Sequence, residues 1–164
     1  MNDEFYMKRA LELAALAAAQ GEVPVGAVVV KQSTGEIVGE GYNRRETDKT
    51  PLAHAEIIAI NEASRRLGGW RLVDCALYVT LEPCPMCAGA VINSRVERLV
   101  YGASDPKAGS CGSVTDLFSY PYNHIPPIER GILAEECASV LTEFFRQLRE
   151  RKNALKNISQ ITDR

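Results

Sequence analysis

CALYVTLEPCPMCAGAVINSRVERLVYGA, Cys75 to Ala103, is the stretch that decides the fold. Its opening, Cys75 to Leu81, carries Leu77, Tyr78, Val79 and Thr80 and stops at Glu82-Pro83, which reads as a buried strand. Pro85 then opens a short helix to Ser94, because proline suits a first helical turn where its missing N–H costs nothing. Arg98 to Ala103 returns as a second strand. Upstream, Ala53 to Leu67 reads as a helix with His54, Ile57, Ile58 and Asn61 on one face, stopped by Gly68-Gly69. Before it, Val25 to Lys31 and Glu36 to Tyr42 form a hairpin across Ser33-Thr34-Gly35, and Arg44 to Lys49 is a charged loop closed by Thr50-Pro51. Asp3 to Gln20 is a helix, with Tyr6, Ala10, Leu13, Ala14 and Ala17 at helical spacing, Asp3 as its cap and Gly21 as its stop.

Downstream, Ser104 to Pro127 is rich in Gly, Ser, Pro and Asp and reads as loop, with one helical turn near Val114 to Phe118. A short strand near Ile128 to Gly131 leads into a final helix from Leu133 to Asn157, whose apolar stripe is Leu133, Cys137, Val140, Leu141, Phe144 and Leu148. Helix, hairpin, then alternating helix and strand make an α/β fold, a mixed sheet covered by helices. No linker or repeat divides it, so residues 1–164 are expected to form one domain.

The chain contains no apolar run near the ~20 residues that cross a bilayer, and its acidic start, Met1-Asn2-Asp3-Glu4-Phe5, lacks the form of a signal peptide. A cytoplasmic location is expected. Net charge is −2, so no global positive field marks a nucleic-acid partner. Charge is nevertheless uneven: Arg146, Arg149, Arg151, Lys152 and Lys156 face only Glu150 across residues 146–157. That run suits phosphates, or simply a solvated helix end. Five cysteines, an odd count without a secretory signal, argue against a disulfide framework.

Cys84 and Cys87 stand apart because they sit three residues apart at a helix start, on one side of the first turn. The positive pole there favours thiolates, the form that ligates metal. With His54 they make a nitrogen–sulfur set suited to zinc. A structural zinc site needs four protein ligands, and a zinc ribbon needs a second close Cys/His pair that this chain lacks. Three ligands leave a position for water, whose pKa zinc lowers toward ~7, and Glu56 supplies a carboxylate to take and return its proton. Residues two apart on a regular helix diverge by roughly 200°, so His54 and Glu56 face one metal only if His54 stands at the helix boundary. Thr50-Pro51 favours that boundary. The ordered set His-x-Glu then Pro-Cys-x-x-Cys is the zinc-deaminase pattern, for which hydrolysis of an exocyclic amine on a nucleobase is the expected chemistry.

Further segments carry a closer resemblance: Glu22 to Val28, Gly41 to Arg44, Ala53 to Glu56, Thr80 to Ala90, Tyr101 to Ala103, Asp105 to Lys107, Asn123-His124, Gly131 to Leu133 and Phe144 to Arg146. Along nearly its whole length the chain resembles the bacterial tRNA-specific adenosine deaminases of the cytidine-deaminase-like superfamily. The resemblance implies a three-layer α/β/α fold on a central mixed five-stranded sheet. It also implies hydrolysis of the wobble adenosine, position 34, of an arginine tRNA anticodon to inosine by a homodimer with one zinc per subunit. On matching positions it makes His54, Cys84 and Cys87 the zinc ligands and Glu56 the proton shuttle. Asn43 and Ala55 would meet the base or its ribose, and Arg44, Asp105, Lys107 and Phe145 the anticodon-loop nucleotides.

Plainer roles compete at several of these positions. Asn43 is also a turn residue after a strand, Asp105 a turn starter before Pro106, and Phe144 and Phe145 core fillers. For His124 a local hydrogen bond is expected rather than a metal. Two other functions share the zinc motifs. One is deamination of a free base or nucleotide of guanine or deoxycytidylate type, against which the basic last helix argues. The other is a catalytically silent zinc-binding RNA module, against which Glu56 argues.

Overall fold

In a computed structural model, described here over residues 1–162, the elements run α1 (Asp3–Ala19), β1 (Gly26–Lys31), β2 (Glu36–Tyr42), α2 (Ala55–Leu67), β3 (Cys75–Leu81), α3 (Pro85–Ser94), β4 (Arg98–Ala103), β5 (Ile128–Arg130) and α4 (Ala134–Thr162). The five strands form one sheet in the order β2-β1-β3-β4-β5. β1 is antiparallel to β2 and β3, whereas β3, β4 and β5 run parallel, as the crossover through α3 requires. The sheet is therefore mixed, and helices cover both faces.

Side chains alternate between those faces with the period of two that a strand imposes. Val28, Val30, Ala76, Tyr78 and Val100 pack with Met7, Ala10 and Leu13 of α1 and Cys137 of α4. Ala27, Val29, Leu77, Val79 and Leu99 pack with Ala55, Ala59 and Ala63 of α2 and Val91 of α3. Buried on both sides, β1 and β3 read as near-continuous apolar runs.

The buried face of α2 differs from the expected one. Ala55, Glu56, Ala59 and Ala63 point inward, while Ile57 and Ile58 are half-buried and Asn61 is exposed. The cause lies on β2. A Cβ added at Gly39 or Gly41 would run into the α2 backbone, at the carbonyl oxygens of Ala59 and Ala55 respectively. Helix and strand thus approach too closely for isoleucine, and only small side chains fit between them.

Several boundaries shift. The cap of α1 is Asn2, whose Oδ1 accepts the Phe5 N–H at 3.1 Å, not Asp3. Asp3 instead takes a two-pronged ion pair with Arg98 at 2.7 and 2.8 Å and accepts the Tyr78 hydroxyl, tying α1 to β3 and β4. The helical turn is a single 3-10 turn at Leu117–Ser119. α4 runs on to Thr162, past Asn157, because no proline or glycine follows Gly131 to stop it. Within its basic stretch Arg146 pairs with Glu143 and Glu150 along the helix. Among the described residues no helix is long and apolar enough to cross a membrane.

Candidate active site

Two helix N-termini converge beyond the end of β3, and each presents metal-binding side chains. His54 precedes α2 with extended backbone, φ −79° and ψ 152°. Its ring therefore leaves the helix direction, and the 200° divergence from Glu56 does not arise. Cys84 precedes α3 in the same manner, with Pro85 in the first turn and Cys87 within it. The His54 Nδ1 lies 3.6 Å from the Cys84 sulfur and 3.5 Å from the Cys87 sulfur. The three ligand atoms lie within 4.8 Å of one another. In tetrahedral zinc sites with Zn–N near ~2.05 Å and Zn–S near ~2.3 Å, nitrogen and sulfur stand about 3.5 Å apart. The donor set and its spacing fit zinc.

Electrostatics around the triad favour one anionic sulfur, that of Cys84. The hydrogen bond from Cys87 and then the contact with His54 hold the Cys84 thiol down to about 4, with burial opposing. Cys87 keeps the shared proton, so its thiol is pushed up, by its bond to Cys84 and by burial. The hydrogen bond with Cys84 raises His54. Glu56 is buried beside them, and that burial raises its carboxyl above the usual range.

His54, Glu56 and Cys84 form the floor of a cleft of about 200 Å³. One wall is Val23, Val25, Asn43 and Arg45; the other is Leu81, Glu82, Asp105 and Ala108, with Ala55 between them. Of the residues singled out in the sequence, Asn43, Ala55 and Asp105 thus join the triad. Asn43 is buried, its Nδ2 donating to the Val23 carbonyl at 3.1 Å and its Oδ1 accepting the Arg45 N–H at 3.2 Å. One amide hydrogen and one lone pair remain for a ligand. Asp105 Oδ1 accepts the N–H groups of Lys107 and Ala108, shaping the turn of its wall.

Arg44, Lys107 and Phe145 do not line that cleft. Arg44 is engaged with Asp48 and the Tyr42 hydroxyl, at 3.1 Å each. Lys107 and Phe145 flank a second groove with Thr142, Leu148, Arg149 and Lys152 along α4. His124 makes a local contact, its Nε2 2.6 Å from the Val96 carbonyl oxygen.

Two buried acids were not singled out in the sequence. Burial alone would raise the Glu22 carboxyl, but the N–H groups of Thr47 and Glu46, at 2.8 and 3.0 Å, bring it below its ordinary value. Glu22 thereby holds the loop that carries Arg45. Glu82 lines the opposite wall, its Oε1 accepting the Tyr101 and Ser113 hydroxyls. The available signal is an acid abutting a short run that is mostly apolar, Val23-Pro24-Val25 in one case and Val79-Thr80-Leu81 in the other.

The family described as the cytidine and deoxycytidylate deaminase zinc-binding region matches residues 1–103. A tRNA-specific adenosine deaminase of Bacillus subtilis is 51% identical over 160 residues, 96% of this chain and 98% of that one. Its counterpart in Haemophilus influenzae is 49% identical over 155 residues, 94% of this chain and 89% of that one. A solved structure from studies of A-to-I editing by tRNA:A34 deaminases at the wobble position superposes with a TM-score of 0.80 at 42% identity, covering 84% of this chain and 99% of that one. A guanine deaminase from Nitrosomonas europaea superposes with a TM-score of 0.72 at 28% identity, covering 86% of this chain and 83% of that one.

Proposed function

Because the chain belongs to the cytidine and deoxycytidylate deaminase zinc-binding family, within its tRNA-specific adenosine deaminases, we propose that it hydrolyses the wobble adenosine of an arginine tRNA anticodon, position 34, to inosine. The observation that carries this reading is the His54 Nδ1 standing 3.5–3.6 Å from the Cys84 and Cys87 sulfurs, with His54, Cys84 and Glu56 lining one cleft. His54, Cys84 and Cys87 hold the zinc, one ion per subunit of a cytoplasmic homodimer. When bound, zinc supplies the Lewis acidity that makes water a competent nucleophile near neutral pH.

Everything else falls to the protein. The Glu56 carboxylate takes a proton from the attacking water and delivers it to the ring nitrogen beside the reacting carbon. It then takes the remaining proton of the added hydroxyl and passes it to the departing amine, so that the C–N bond breaks, ammonia leaves and a carbonyl oxygen remains. Asn43, with one amide hydrogen and one lone pair to spare, meets the purine edge or its ribose, and the Ala55 backbone borders the base. A loop nucleotide reaches such a cleft at lower cost than a paired one, since little stacking is lost when it turns out. Arg44, Asp105, Lys107 and Phe145 contact the neighbouring nucleotides, with Phe145 and Lys107 receiving them in the groove along α4.

The test is turnover of a synthetic arginine anticodon stem-loop by the zinc-loaded protein, read as inosine by mass spectrometry. Inosine at position 34, with guanine, cytidine and deoxycytidylate untouched, supports the reading. Turnover of a free base or nucleotide with an intact stem-loop overturns it. Glu56→Gln keeps its zinc and loses inosine formation, whereas undiminished turnover would remove Glu56 from the mechanism.

A further inference from the structure

We infer that Glu82 is a positioning residue, its buried carboxylate fixing the Asp105–Ser113 wall of the cleft against the strand that delivers Cys84. The inference rests on the functional reading above, since it assigns that wall to substrate binding.

Glu82 follows β3 directly, and its own N–H donates to the Ala103 carbonyl at 2.8 Å, which locks it to the end of β4. The side chain is 2% exposed. Its Oε1 accepts two hydroxyls, Tyr101 at 3.1 Å and Ser113 at 2.8 Å. The other oxygen, Oε2, is buried and has no hydrogen-bond partner among the described residues. It lies against Gly109, where an added Cβ would coincide with it. Glycine is therefore required at position 109 for contact, not for an unusual backbone angle. An acid kept in such a place needs a reason, because removing a carboxylate from water is costly unless both oxygens are paired or hydrogen-bonded, and Oε2 is not.

That reason is visible in the loop. The Gly109 N–H donates to the Asp105 carbonyl at 2.9 Å, Ser110 to that of Pro83 at 2.9 Å and Val114 to that of Gly109 at 2.9 Å. These bonds shape the turn, and among the described residues the hydrogen bonds that attach it to the metal-bearing strand end are those of Ser110 to Pro83 and Ser113 to Glu82. Asp105 and Ala108, the cleft-lining members of the turn, take their distance from Cys84 and Glu56 from those attachments. Among the described residues Glu82 makes no hydrogen bond to the triad sulfurs or the His54 ring, so its influence falls on how substrate seats and not on how the metal is held.

Three substitutions test this on the zinc-loaded full chain. Glu82→Ala removes the anchor, and Ser113→Ala removes one exposed hydroxyl without threatening the core. Gly109→Ala leaves Glu82 intact and displaces the wall from it. The expected result is a KM for the stem-loop raised roughly tenfold in Glu82→Ala and Gly109→Ala and roughly threefold in Ser113→Ala. kcat stays within about twofold and zinc at one per chain. Glu82→Gln, with the same length and one acceptor oxygen, restores KM most of the way. Amide exchange at Ser110 and Val114 speeds up in the same three variants, a readout that needs no substrate and so separates this inference from the functional reading. A lost zinc, a fall in kcat at unchanged KM, or unaltered KM and exchange in Ser113→Ala and Gly109→Ala overturns it, and the last two variants decide if Glu82→Ala does not fold.

Discussion

Gly41→Ala tests how the active site is held in register. A Cβ at Gly41 would overlap the Ala55 carbonyl oxygen, and would stand 2.8 Å from the Ala59 nitrogen and 2.9 Å from the Ile58 Cβ. Ordinary contact starts at 3.4 Å, so the first turn of α2 must withdraw by about 0.6 Å or more. Overpacking of this kind costs ~1–3 kcal/mol, which for a chain of this length lowers Tm by roughly 2–12 °C. The same turn carries Glu56 and is preceded by His54, and displacements approaching ~1 Å in a catalytic group reduce rates by up to ~100-fold. Gly39→Ala is the comparison. It meets Ala59 and Ala63 one helical turn farther from the site, with the Ala63 nitrogen at 2.8 Å. Gly69→Ala, which meets nothing within 4 Å, is the blank. Thermal unfolding and stem-loop turnover should show Gly41→Ala and Gly39→Ala destabilised alike, but Gly41→Ala losing roughly tenfold more activity. Equal activity losses in the two, or a Gly41→Ala protein with unchanged Tm, would refute the claim that α2 rests on the β2 glycines and takes its position from them.

Other expectations concern charge. The hydrogen bonds from Arg98 hold the Asp3 carboxyl below its usual value against the opposing effect of burial, so its stabilising contribution is present in full above the unfolded carboxylate range and is lost as pH falls through the lower folded value. Urea unfolding should therefore separate the parent from Asp3→Asn at pH 7, with the gap closing below roughly pH 4. In metal-stripped protein at pH 6, iodoacetamide should modify Cys84 first, because its thiol is held down to about 4 whereas burial pushes Cys111 and Cys137 up to about 12. Peptide mass spectrometry should find zinc protecting it. Truncation after Leu148 removes Arg149 and Lys152 from the groove beside Phe145, and should weaken stem-loop binding and flatten its salt dependence. An unchanged salt slope would make that stretch ordinary solvated helix.

The strand–helix–strand of Cys75 to Ala103 and the hairpin before it were legible because their apolar runs end at proline and glycine. The three metal-binding residues were legible from chemistry and spacing, and the extended backbone at His54 follows from the need to face Cys84 and Glu56 together. The inward face of α2 was not. Its largest apolar residues, Ile57 and Ile58, outweigh its alanines in any periodic reading, and what reverses the choice is a pair of glycines on another element. Glu22 and Glu82 escaped for a related reason. Burial of an acid is set by which loops close over it, and the sequence shows only that an acid is present. The cleft likewise takes Arg45 and not Arg44, a one-residue choice fixed by the Arg44–Asp48 pair.

X-ray absorption at the zinc edge of the purified protein tests the central claim most directly. One zinc per chain, with two sulfurs near ~2.3 Å and lighter atoms near ~2.0 Å, is the expected result. A protein that binds no zinc, or a zinc bound by three or four sulfurs, would contradict it.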